Sequence, residues 1–463
     1  MTDPNPHAVL TPRQMGEADR LAAEAGILNL MENAGRAVTR AIRARIRPCR
    51  TLVLCGPGSN GGDGYVAARL LAQAGWPVTV AATAAPKRGT EAAAAAALWH
   101  GPTARFGARA VSRADLVIDA VFGAGLSRDV DGVTAETLRA ARRVVAIDVP
   151  SGLDGATGAI RGFAPQAELT VTFVRRKPGH LLLPGRDLCG EIVTADIGMP
   201  AKILARIKPD SWANHPDLWP RPPLPADANK YSRGTVTIAG GAMSGAARLA
   251  AMAARRAGAG LVAIATEASG MAYLGMEPGT ILLTDKLHFV LDDARRQVWV
   301  CGPGLGLDLA PRILKTLLMA RRSVVADADA LSAHAGNPAG LAGAAIITPH
   351  EGEFTRVFGA PGHDRLAAAR AAARQTGAVV VLKGSDTVIA APDGRAAING
   401  NAPASLATAG SGDILAGIIA AELAQGLAPF QAACAGVWRH GAAGGRAGAH
   451  LIAEDLLDQI RQV

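Results

Sequence analysis

The sequence predicts two α/β domains, each built on a largely parallel sheet covered by helices. Three observations carry this prediction. The chain has 463 residues, about three times the length of an average single domain. In both halves, short β-branched segments alternate with Ala- and Leu-rich segments, as in parallel sheets with helical crossovers. A proline-rich segment near the middle separates the two halves.

The N-terminal half is predicted to begin with a helix and to continue through five strands. Thr11, Pro12 and Gln14 form a helix-start pattern, in which a capping Thr precedes a Gln by three residues and Pro takes the first helical position. The alanines at 92–97 predict a further helix, because Ala is the best helix former. Strands are expected at 51–55, 77–83, 116–122, 144–149 and 169–173.

A connector is predicted before the C-terminal half, in a segment that contains six prolines between residues 209 and 225. Proline removes a backbone donor and fixes φ, so neither a helix nor a central strand tolerates this density. The prolines are Pro209, Pro216, Pro220, Pro222, Pro223 and Pro225. We expect Trp212 and Trp219 to pin the connector onto one domain. The predicted domains are 1–210 and 227–463, with the connector at 211–226 and C-terminal strands at 235–240, 298–302, 323–328, 345–349 and 379–384.

Composition excludes several classes of protein. Hydrophobic residues make up 49% and charged residues 19% of the chain, which is typical of a globular protein. The formal net charge is +9, but the arginines are scattered and aromatic residues reach only 4%, so we expect no nucleic-acid partner. No apolar segment is long enough to cross a membrane and no secretory signal is present, which predicts a cytoplasmic protein without membrane contact.

A glycine-rich loop at 56–64 follows the first strand and precedes a helical segment. It contains the GxGxxG pattern, whose backbone amides at a helix N-terminus can hold a pyrophosphate. This pattern alone is weak evidence, and the next strand ends without the acidic residue that binds ribose in an ordinary NAD fold. Asn60 and Asp63 add oxygen ligands that phosphate binding does not need. We therefore expect the loop to hold a group besides phosphate.

Two further strands of this half end in aspartates. Asp119 leads into the loop 123–128, and Asp148 leads into a second Gly-containing turn. In an open parallel sheet the ligand crevice lies at the carboxyl ends of the strands, so the three loops should converge. Taken singly, each aspartate is equally well interpreted as a cap for the turn that follows it. Together with Asn60 and Ser151, the two aspartates can form a cation site or an acid–base site.

Four segments of the N-terminal half resemble a known family. LMENAGRAV (30–38), GPGSNGGDGYVAARLL (56–71), DAVFGAGLSR (119–128) and AIDVPSGLDGATG (146–158) are similar to the N-terminal domain of bifunctional NAD(P)H-hydrate repair enzymes, which is an epimerase. The resemblance implies that the hydrate contacts Asn60, Gly61, Gly62, Asp63, Gly64, Gly123, Ala124, Gly125, Leu126, Ser127, Arg128 and Asp148. It implies potassium ligands at Asn60, Asp119 and Ser151. It makes Asp148 the acid–base residue, a role in which one positioned carboxylate contributes about 10²- to 10⁴-fold.

The most specific motif of the C-terminal half is TAGSGD at 408–413, which is followed directly by a helical segment. Its glycines allow backbone amides at the helix N-terminus to face an anion, while Asp413 can take a proton from a substrate hydroxyl. This combination is typical of phosphoryl transfer. The alternative is an aspartate that caps the helix after a Gly-rich turn, for which one glycine would suffice.

Two other strand ends supply candidates. Lysine is scarce in this chain, and Lys383 in the segment KGSDT could bind a nucleotide phosphate, although turns carry surface lysines freely. His350 lies in the segment TPHEGE, and a lone histidine is more often structural than catalytic. The chain contains neither a Walker A motif nor a GxSxG motif, which excludes P-loop kinases and α/β-hydrolases.

Seven segments of this half resemble the dehydratase domain of the same repair enzymes, which is similar to ribokinase-like kinases. They are GTVTIAGG (234–241), GAGLV (258–262), CGPGLG (301–306), DADAL (327–331), ITPHEGEF (347–354), LKGSDTVIAAPDG (382–394) and LATAGSGDILAG (406–417). The resemblance implies a nucleotide site at Lys383, Gly384, Ser385, Asp386, Thr387, Gly410, Ser411 and Gly412. It places Ala246, Gly304, His350 and Asp413 at the hydrate, with Asp413 as the catalytic base.

The two resemblances together imply a Rossmann-like three-layer α/β/α epimerase domain at 1–210 and a ribokinase-like α/β dehydratase domain at 227–463. The first would interconvert the R and S hydrates of NADH and NADPH. The second would phosphorylate the ring hydroxyl of the S form from ADP and eliminate the phosphate, giving NAD(P)H and AMP, with Mg²⁺ neutralising the phosphate oxygens. The implied cofactors are K⁺ and Mg²⁺, the partners are small molecules, and we expect a homo-oligomer.

Two other functions are left open by the sequence. The GSGD helix start does not specify a substrate, so the chain could be a small-molecule kinase of the ribokinase-like type fused to a non-catalytic Rossmann-like module. The N-terminal half could likewise be a ligand-binding or oligomerisation module, although the set of Asn60, Asp119, Asp148 and Ser151 argues against it. No motif separates ADP from ATP, or the NADH hydrate from the NADPH hydrate.

Overall fold

The computed structural model describes residues 6–221, 223–267, 270–273, 275 and 277–462. It divides into two units, Met1–Ser211 and Trp212–Val463, and the predicted α/β class is confirmed for both. Within the described residues, no helix is both long enough and apolar enough to span a membrane. Pro222 of the predicted connector lies outside the described residues, as do residues 1–5 and 463 at the ends of the predicted domains.

The N-terminal unit is built on a six-stranded parallel sheet. Its strands are β1 (Thr51–Cys55), β2 (Val78–Ala82), β3 (Leu116–Ala120), β4 (Val144–Ile147), β5 (Leu169–Phe173) and β6 (Glu191–Ala195). Its helices are α1 (Pro12–Glu24), α2 (Leu30–Arg43), α3 (Ser59–Gln73), α4 (Glu91–Ala97), α5 (Ala108–Val111), α6 (Gly132–Arg139), α7 (Gly185–Leu188) and α8 (Ala201–Ile207). The order β2-β1-β3-β4-β5-β6 reverses between β1 and β3, where a ligand crevice is expected.

Alternate residues of the central strands face two helical layers, which produces the predicted three-layer arrangement. Val53 and Cys55 pack with α1, α2 and α3 in one core, while Leu52 and Leu54 pack with α5 and α6 in another. Because both faces of the sheet are covered, its strands are continuous apolar segments, which is why the sequence predicts them well. The helix start at Thr11 is also confirmed, since its hydroxyl accepts the N–H of Gln14 and its N–H donates to the Gln14 side chain.

The C-terminal unit is built on a ten-stranded sheet. Its strands are β7 (Ser211–Ala213), β8 (Thr235–Ala239), β9 (Leu261–Ala265), β10 (Ile281–Leu283), β11 (Val298–Cys301), β12 (Ser323–Ala326), β13 (Ile346–Ile347), β14 (Val379–Leu382), β15 (Val388–Ala390) and β16 (Ala396–Ile398). Its helices are α9 (Ser244–Arg256), α10 (Leu287–Leu291), α11 (Ala310–Met319), α12 (Asp329–Ser332), α13 (Glu351–Phe358), α14 (Arg365–Thr376), α15 (Ser411–Ala424), α16 (Pro429–Ala447) and α17 (Ala453–Ile460).

The strand order of this sheet is β10-β9-β8-β11-β12-β13-β14-β15-β16-β7. Strands β8 to β14 run parallel, and β15 and β16 continue the sheet antiparallel. The order reverses between β8 and β11, which makes their carboxyl ends a second expected crevice. Helices α9, α15, α16 and α17 pack on one face of the sheet in a single large core.

The connector contains more regular structure than the sequence predicts. Residues 211–213 form the edge strand β7 rather than part of a strand-free linker. An edge strand tolerates nearby prolines because one side of its backbone needs no ladder partner. Trp219 pins the connector as expected, since it is buried in the core of the C-terminal unit with its ring centroid 5.9 Å from that of Trp438. Trp212 is only half-buried.

Candidate active sites

A cavity of about 720 Å³ opens at the reversal between β1 and β3 in the N-terminal unit. The three predicted loops meet there, because residues 57–60 follow β1, residues 121–128 follow β3, and Asp148 follows β4. Apolar side chains complete the walls, including Met15, Ile27, Leu30, Met31, Phe173 and Ile197. The predicted convergence of the loops is therefore confirmed.

Nine of the twelve residues predicted to contact the hydrate line this cavity, whereas Gly61, Gly62 and Gly64 do not. A methyl group at Gly61 would lie 1.9 Å from the carbonyl oxygen of Gly56, and one at Gly64 would lie 2.5 Å from the Cβ of Ala120. These glycines let the first turns of α3 approach the protein interior closely. Glycine is therefore required at these positions for close packing. The residues of this segment that line the cavity include Asn60 and Asp63.

Asp148 is held by hydrogen bonds on both carboxylate oxygens. Oδ1 accepts from Lys177 Nζ at 2.6 Å and from Thr172 Oγ1 at 3.0 Å, and Oδ2 accepts from the N–H of Ala124 at 2.9 Å. The backbone carbonyl of Asp148 lies 2.8 Å from His180 Nε2. Asp148 has a φ of +67°, a left-handed conformation that costs a non-glycine residue about 1–3 kcal/mol and is often found at functional sites.

The charge of Lys177 determines the ionisation of Asp148. Burial alone would raise the pKa of the Asp148 carboxyl, but the charge and the hydrogen bond of Lys177 outweigh burial and lower this pKa to about 2. Burial and the nearby Lys177 also lower the pKa of His180 to about 4, so this ring is neutral at physiological pH. His180 Nδ1 accepts the N–H of Lys177 at 2.8 Å, which leaves the proton on Nε2 to donate to Asp148.

Sequence reasoning missed Lys177, Thr172 and His180. Lys177 is buried, with 3% of its side chain exposed, and it also donates to Thr172 Oγ1 at 2.8 Å. A usable signal was present, since only eight of the 48 basic residues are lysines and Lys177 follows a predicted strand just as Lys383 does. The same scarcity argument that singled out Lys383 would have found Lys177.

Asp119 and Ser151 form a second buried group at the carboxyl ends of β3 and β4. Asp119 accepts the N–H of Ser151 at 2.8 Å, the Ser151 hydroxyl at 2.6 Å and the N–H of Val121 at 3.2 Å. Burial raises the pKa of Asp119, and the hydrogen bonds from Ser151 oppose this rise. In the described part of the chain no cationic side chain pairs with Asp119, and the buried Asn60 Nδ2 has no hydrogen-bond partner.

Asp63 is a second carboxyl group in the wall of the cavity. It belongs to α3, is 9% exposed, and forms no hydrogen bond or ion pair with any other described residue. Burial and the negative charges of Asp148, Asp19 and Glu91 raise the pKa of Asp63 well above its usual value, against the opposing effect of Lys177. The cavity therefore contains two carboxyl groups whose pKa values are shifted in opposite directions, that of Asp63 upward and that of Asp148 downward.

A cavity of about 520 Å³ in the C-terminal unit lies beside the N-terminus of α15. Six of the eight predicted nucleotide-binding residues line it: Lys383, Gly384, Ser385, Thr387, Ser411 and Gly412. The other two lie outside the lining. Gly410 caps α15 with a φ of +83°, a conformation that favours glycine, and Asp386 is buried with its carboxylate 3.5 Å from Arg365 Nε.

Lys383 is bound to a carboxylate beneath the glycine-lined helix start. Its Nζ donates to Asp327 Oδ1 at 2.7 Å and lies 3.9 Å from Glu353. Burial would lower the pKa of Lys383, but Asp327 and Glu353 outweigh burial and raise it, so the ammonium stays charged. A methyl group at Gly412 would lie 3.4 Å from Nζ, which shows how closely the helix start approaches the lysine. Sequence reasoning did not assign Asp327.

Asp413 occupies the first turn of α15 and is partly buried, next to Gly412, but it does not itself line the 520 Å³ cavity. Burial and the like charge of Asp327 raise the pKa of the Asp413 carboxyl to about 6, against the opposing effect of Lys383. Asp413 forms no hydrogen bond or ion pair with the other residues that the structure describes. An unpaired carboxyl group with this pKa can accept a proton near neutral pH.

Two histidines border the cavity of the C-terminal unit. His350 caps α13, because its Nδ1 accepts the N–H groups of Gly352 and Glu353 at 3.0 and 3.2 Å. Nδ1 of His350 therefore has the structural role of a helix cap, and His350 also lines the cavity. His440, which sequence reasoning missed, lies with Nε2 3.0 Å from Ser411 Oγ, and burial lowers its pKa to about 4.

Ala246 and Gly304 lie together at the reversal between β8 and β11. A methyl group at Gly304, whose φ is +67°, would lie 3.3 Å from the Cβ of Ala246. The same loop is fixed at Gly306, whose N–H donates to Asp329 Oδ2 at 2.8 Å. The charge of Asp329 in turn acts on Asp413. Neither Ala246 nor Gly304 lines the 520 Å³ cavity, so the structure brings them together without placing them beside the predicted nucleotide site.

Comparison with known families assigns both halves of the chain. Residues 27–179 match the family described as YjeF-related protein N-terminus, and residues 236–462 match the family described as NAD(P)H-hydrate dehydratase. Among solved structures, the ADP/ATP-dependent NAD(P)H-hydrate dehydratase of Bacillus subtilis, co-crystallised with ATP and Mg²⁺, is 29% identical over 53% of this chain and 93% of its own, with a TM-score of 0.46.

Two curated relatives match almost the whole chain. The bifunctional NAD(P)H-hydrate repair enzyme of Moorella thermoacetica is 37% identical over 98% of this chain and 96% of its own length. The bifunctional NAD(P)H-hydrate repair enzyme of Escherichia coli is 35% identical over 99% of this chain and 94% of its own length. At this identity and coverage, the chain belongs to the family of bifunctional NAD(P)H-hydrate repair enzymes.

Proposed function

We propose that this chain repairs hydrated nicotinamide nucleotides in two steps. Domain 1–210 interconverts the R and S hydrates of NADH and NADPH, and domain 227–463 dehydrates the S form at the expense of ADP, with 211–226 as connector. The observation that carries the proposal is Asp413, an unpaired carboxyl group with a pKa of about 6 beside a glycine-lined helix start and a charged lysine. The first step supplies the isomer that the second step consumes.

The dehydratase step begins when the ring hydroxyl attacks the terminal phosphate of ADP. Asp413 accepts the hydroxyl proton, the new P–O bond forms, and the bond to AMP breaks. Ser411, Gly412 and Lys383 line the cavity, so the first amide groups of α15 and the Lys383 ammonium would face the phosphate charge, as expected at a helix N-terminus. Loss of phosphate from the ring carbon, and of a proton from the adjacent carbon, then restores the double bond of the dihydronicotinamide.

The epimerase step takes place in the 720 Å³ cavity of the N-terminal unit. Amide groups at the start of α3 face the pyrophosphate, and the loop 123–128 encloses the hydrated ring beside Asp148. Asp148 stays ionised because Lys177 lowers its pKa to about 2, so it can stabilise positive charge that develops on the ring. No nucleotide is consumed in this step.

The residues present fit both predicted metal ions. Asn60, Asp119 and Ser151 would hold potassium, since the buried Asp119 carboxylate has no cationic partner among the described residues and Asn60 supplies a further oxygen. Bound potassium supplies the positive charge that neutralises Asp119. Asp327 and Glu353 would hold magnesium, because these two carboxylates outnumber the single Lys383 beside them, and bound magnesium neutralises phosphate oxygens.

The proposal is tested with NADH that has been hydrated by acid or heat. The purified chain is mixed with the hydrate, Mg²⁺ and ADP, and the recovery of 340 nm absorbance is followed, with reactions that lack nucleotide or contain ATP as controls. We expect recovery that depends on ADP and continues until both hydrates are consumed. Phosphorylation of a small molecule without recovery of NADH would instead support the kinase alternative and overturn the repair function.

A further inference from the structure

We propose that Asp63 is a second catalytic residue of the epimerase, which donates a proton to the departing hydroxyl while Asp148 remains ionised and faces the cation that forms. This inference rests on the epimerase activity proposed above. It gives Asp63 and Asp148, two of the four acidic residues that line the cavity, different chemical tasks. It also replaces the sequence-based hypothesis that Asp148 alone transfers the proton.

The contacts of Asp148 make it a hydrogen-bond acceptor only. Lys177 Nζ, the Thr172 hydroxyl and the Ala124 N–H all point their protons at its two oxygens. The Thr172 hydroxyl must donate to Asp148, because its oxygen already accepts from Lys177 at 2.8 Å. A proton on Asp148 would displace one of these donors and leave Lys177 buried without a counter-ion. Asp148 is therefore unsuited to donate a proton.

Asp63 has the opposite surroundings. It is almost completely buried and, within the described chain, receives no hydrogen bond and has no ion-pair partner. The charged groups that act on it include three carboxylates, and the one lysine among them, Lys177, is already bound to Asp148. Two carboxyl groups that share a cavity do not both ionise readily, so the one without a cation keeps its proton.

A capping role does not explain the presence of Asp63. It is the fifth residue of α3, beyond the positions where a side chain caps a helix, and α3 has no side-chain cap at Gly58. Asp63 belongs to the lining of the cavity and to neither hydrophobic core that packs on the sheet. A buried carboxyl group that serves no visible structural purpose and faces a cavity is a candidate for catalysis.

The proposed step is a loss and re-addition of water at the ring carbon that carries the hydroxyl group. The bond between the ring carbon and its hydroxyl oxygen breaks, and the oxygen keeps the electron pair, takes the proton of Asp63 and leaves as water. The lone pair of the ring nitrogen forms a C=N double bond, and the resulting cation faces the Asp148 carboxylate. Water then adds to either face of the carbon, and its surplus proton returns to Asp63. The two hydrates interconvert without any net change in the enzyme.

The proposal predicts a pH dependence, because Asp63 must carry its proton for the step to proceed. The rate should fall as pH rises through the pKa of Asp63, whereas Asp148 stays ionised across the accessible range. The titratable or charged groups around Asp63 are Asp19 of α1, Glu91 of α4, Asp148, Lys177, His180 and Arg128. Of these, Asp148 and His180 have pKa values of about 2 and about 4, below the range in which the epimerase would be assayed.

The test compares Asp63→Asn, Asp63→Glu and Asp148→Asn in the full chain, without nucleotide. Chromatography follows the interconversion of the separated hydrates between pH 5 and 9, and kcat and KM are determined at each pH. Asp63→Asn should lower kcat by about 10²- to 10⁴-fold, leave KM within a few-fold of its original value, and abolish the fall at high pH. Asp63→Glu should restore part of kcat. Asp131→Asn, a matched control at an exposed aspartate outside the cavity, should behave like the unchanged chain.

Two outcomes overturn the proposal without touching the epimerase activity itself. One is an Asp63→Asn variant that keeps the original kcat and pH profile. The other is retention of the ring hydroxyl oxygen when the reaction runs in H₂¹⁸O, since the proposed step exchanges this oxygen at each inversion. If the unchanged chain does not accelerate interconversion at all, it is the proposed epimerase function that fails.

Discussion

In each unit an aspartate that we propose to be catalytic lies near a largely buried lysine, but the lysine is bound differently in the two units. In the N-terminal unit Lys177 binds Asp148 directly at 2.6 Å, and the pKa of this carboxyl group falls to about 2. In the C-terminal unit Lys383 binds Asp327 at 2.7 Å, and the pKa of the nearby Asp413 rises to about 6. One aspartate is therefore fixed as an anion, and the other is left free to gain and lose a proton.

The element that carries each carboxylate determines whether it forms an ion pair with the lysine. Asp148 and Lys177 follow the neighbouring strands β4 and β5, and the left-handed backbone at Asp148 accompanies this pairing. Lys383 and Asp327 follow β14 and β12, whereas Asp413 comes from the start of α15. A carboxylate supplied by the same sheet as the lysine takes up its charge, and the one supplied by the helix stays unpaired. The ion pair of Lys177 thus lowers the pKa of the aspartate that we propose to be catalytic, whereas the ion pair of Lys383 leaves the corresponding aspartate, Asp413, unpaired.

The largest expected effect is the separation of the two activities by single substitutions. Asp413→Ala removes an unpaired carboxyl group beside the predicted nucleotide site and should lower ADP-dependent recovery of NADH by about 10²- to 10⁴-fold. Interconversion of the hydrates should be unchanged, because its residues belong to the other unit. Absorbance at 340 nm measures the first activity, and chromatography of the hydrates measures the second. A parallel loss of both activities would contradict the division of labour.

Removal of Lys177 should damage the N-terminal unit in both activity and stability. Lys177→Met leaves the largely buried Asp148 without its cation, and breaking a buried ion pair in this way typically costs about 3–5 kcal/mol. The pKa of Asp148 should rise, and the rate of interconversion should fall with it. Urea unfolding and the rate of interconversion measure the two effects, with the exposed Lys202→Met as control.

A double variant tests whether the loss of stability in Lys177→Met comes from breaking the ion pair between Lys177 and Asp148. Adding Asp148→Asn to Lys177→Met removes the unpaired charge, so part of the lost stability should return. The rate of interconversion should stay low, because the anion that faces the ring is gone. If the double variant were no more stable than Lys177→Met alone, the loss would come from packing of the lysine and not from its charge.

Much of the fold could be predicted because its central strands are buried on both faces. All ten predicted strands are present, since an apolar β-branched segment such as β1 has no other stable environment in a globular protein. The strands that were missed give weaker signals. β9 (Leu261–Ala265) lies in an Ala-rich segment, β15 and β16 have three residues each, and β6 is partly exposed. Their places in the sheets come from tertiary pairing.

Site residues could be predicted from the sequence where they lie within one loop. They could not be predicted where two interacting side chains are far apart in the sequence. The loop 123–128 and the helix start at 410–413 are local motifs, and the structure brings both to cavities or their borders. Lys177 lies 29 residues from Asp148, and Lys383 lies 56 residues from Asp327. No local pattern shows which carboxylate each lysine meets, so the protonation states could not be derived from the sequence.

The pH profiles of the two activities should slope in opposite directions. Asp413 must be ionised to accept a proton, so the rate of dehydration should rise with pH through about 6 and fall about tenfold per unit below it. Asp327→Asn removes a like charge from Asp413 and frees Lys383, so the pKa of Asp413 should fall and the rise should move to lower pH. Rates of NADH recovery between pH 5 and 8 measure this shift. A profile that does not move would mean that Asp327 does not act on Asp413.

The smallest expected effect comes from the hydroxyl group that joins Asp148 to Lys177. Thr172→Val removes one hydrogen bond to Asp148 and one acceptor for Lys177, a loss of roughly 1 kcal/mol for each bond. Thr170→Val on the same strand removes a buried hydrogen bond to the Cys189 carbonyl and makes a matched control. Thr172→Val should lose more stability in urea than Thr170→Val, because it breaks two hydrogen bonds instead of one, and only Thr172→Val should slow interconversion, by about five- to tenfold. Equal rates in the two variants would show that the hydroxyl group of Thr172 stabilises the fold without tuning Asp148, and the ionisation of that carboxylate would then depend on Lys177 and Ala124 alone.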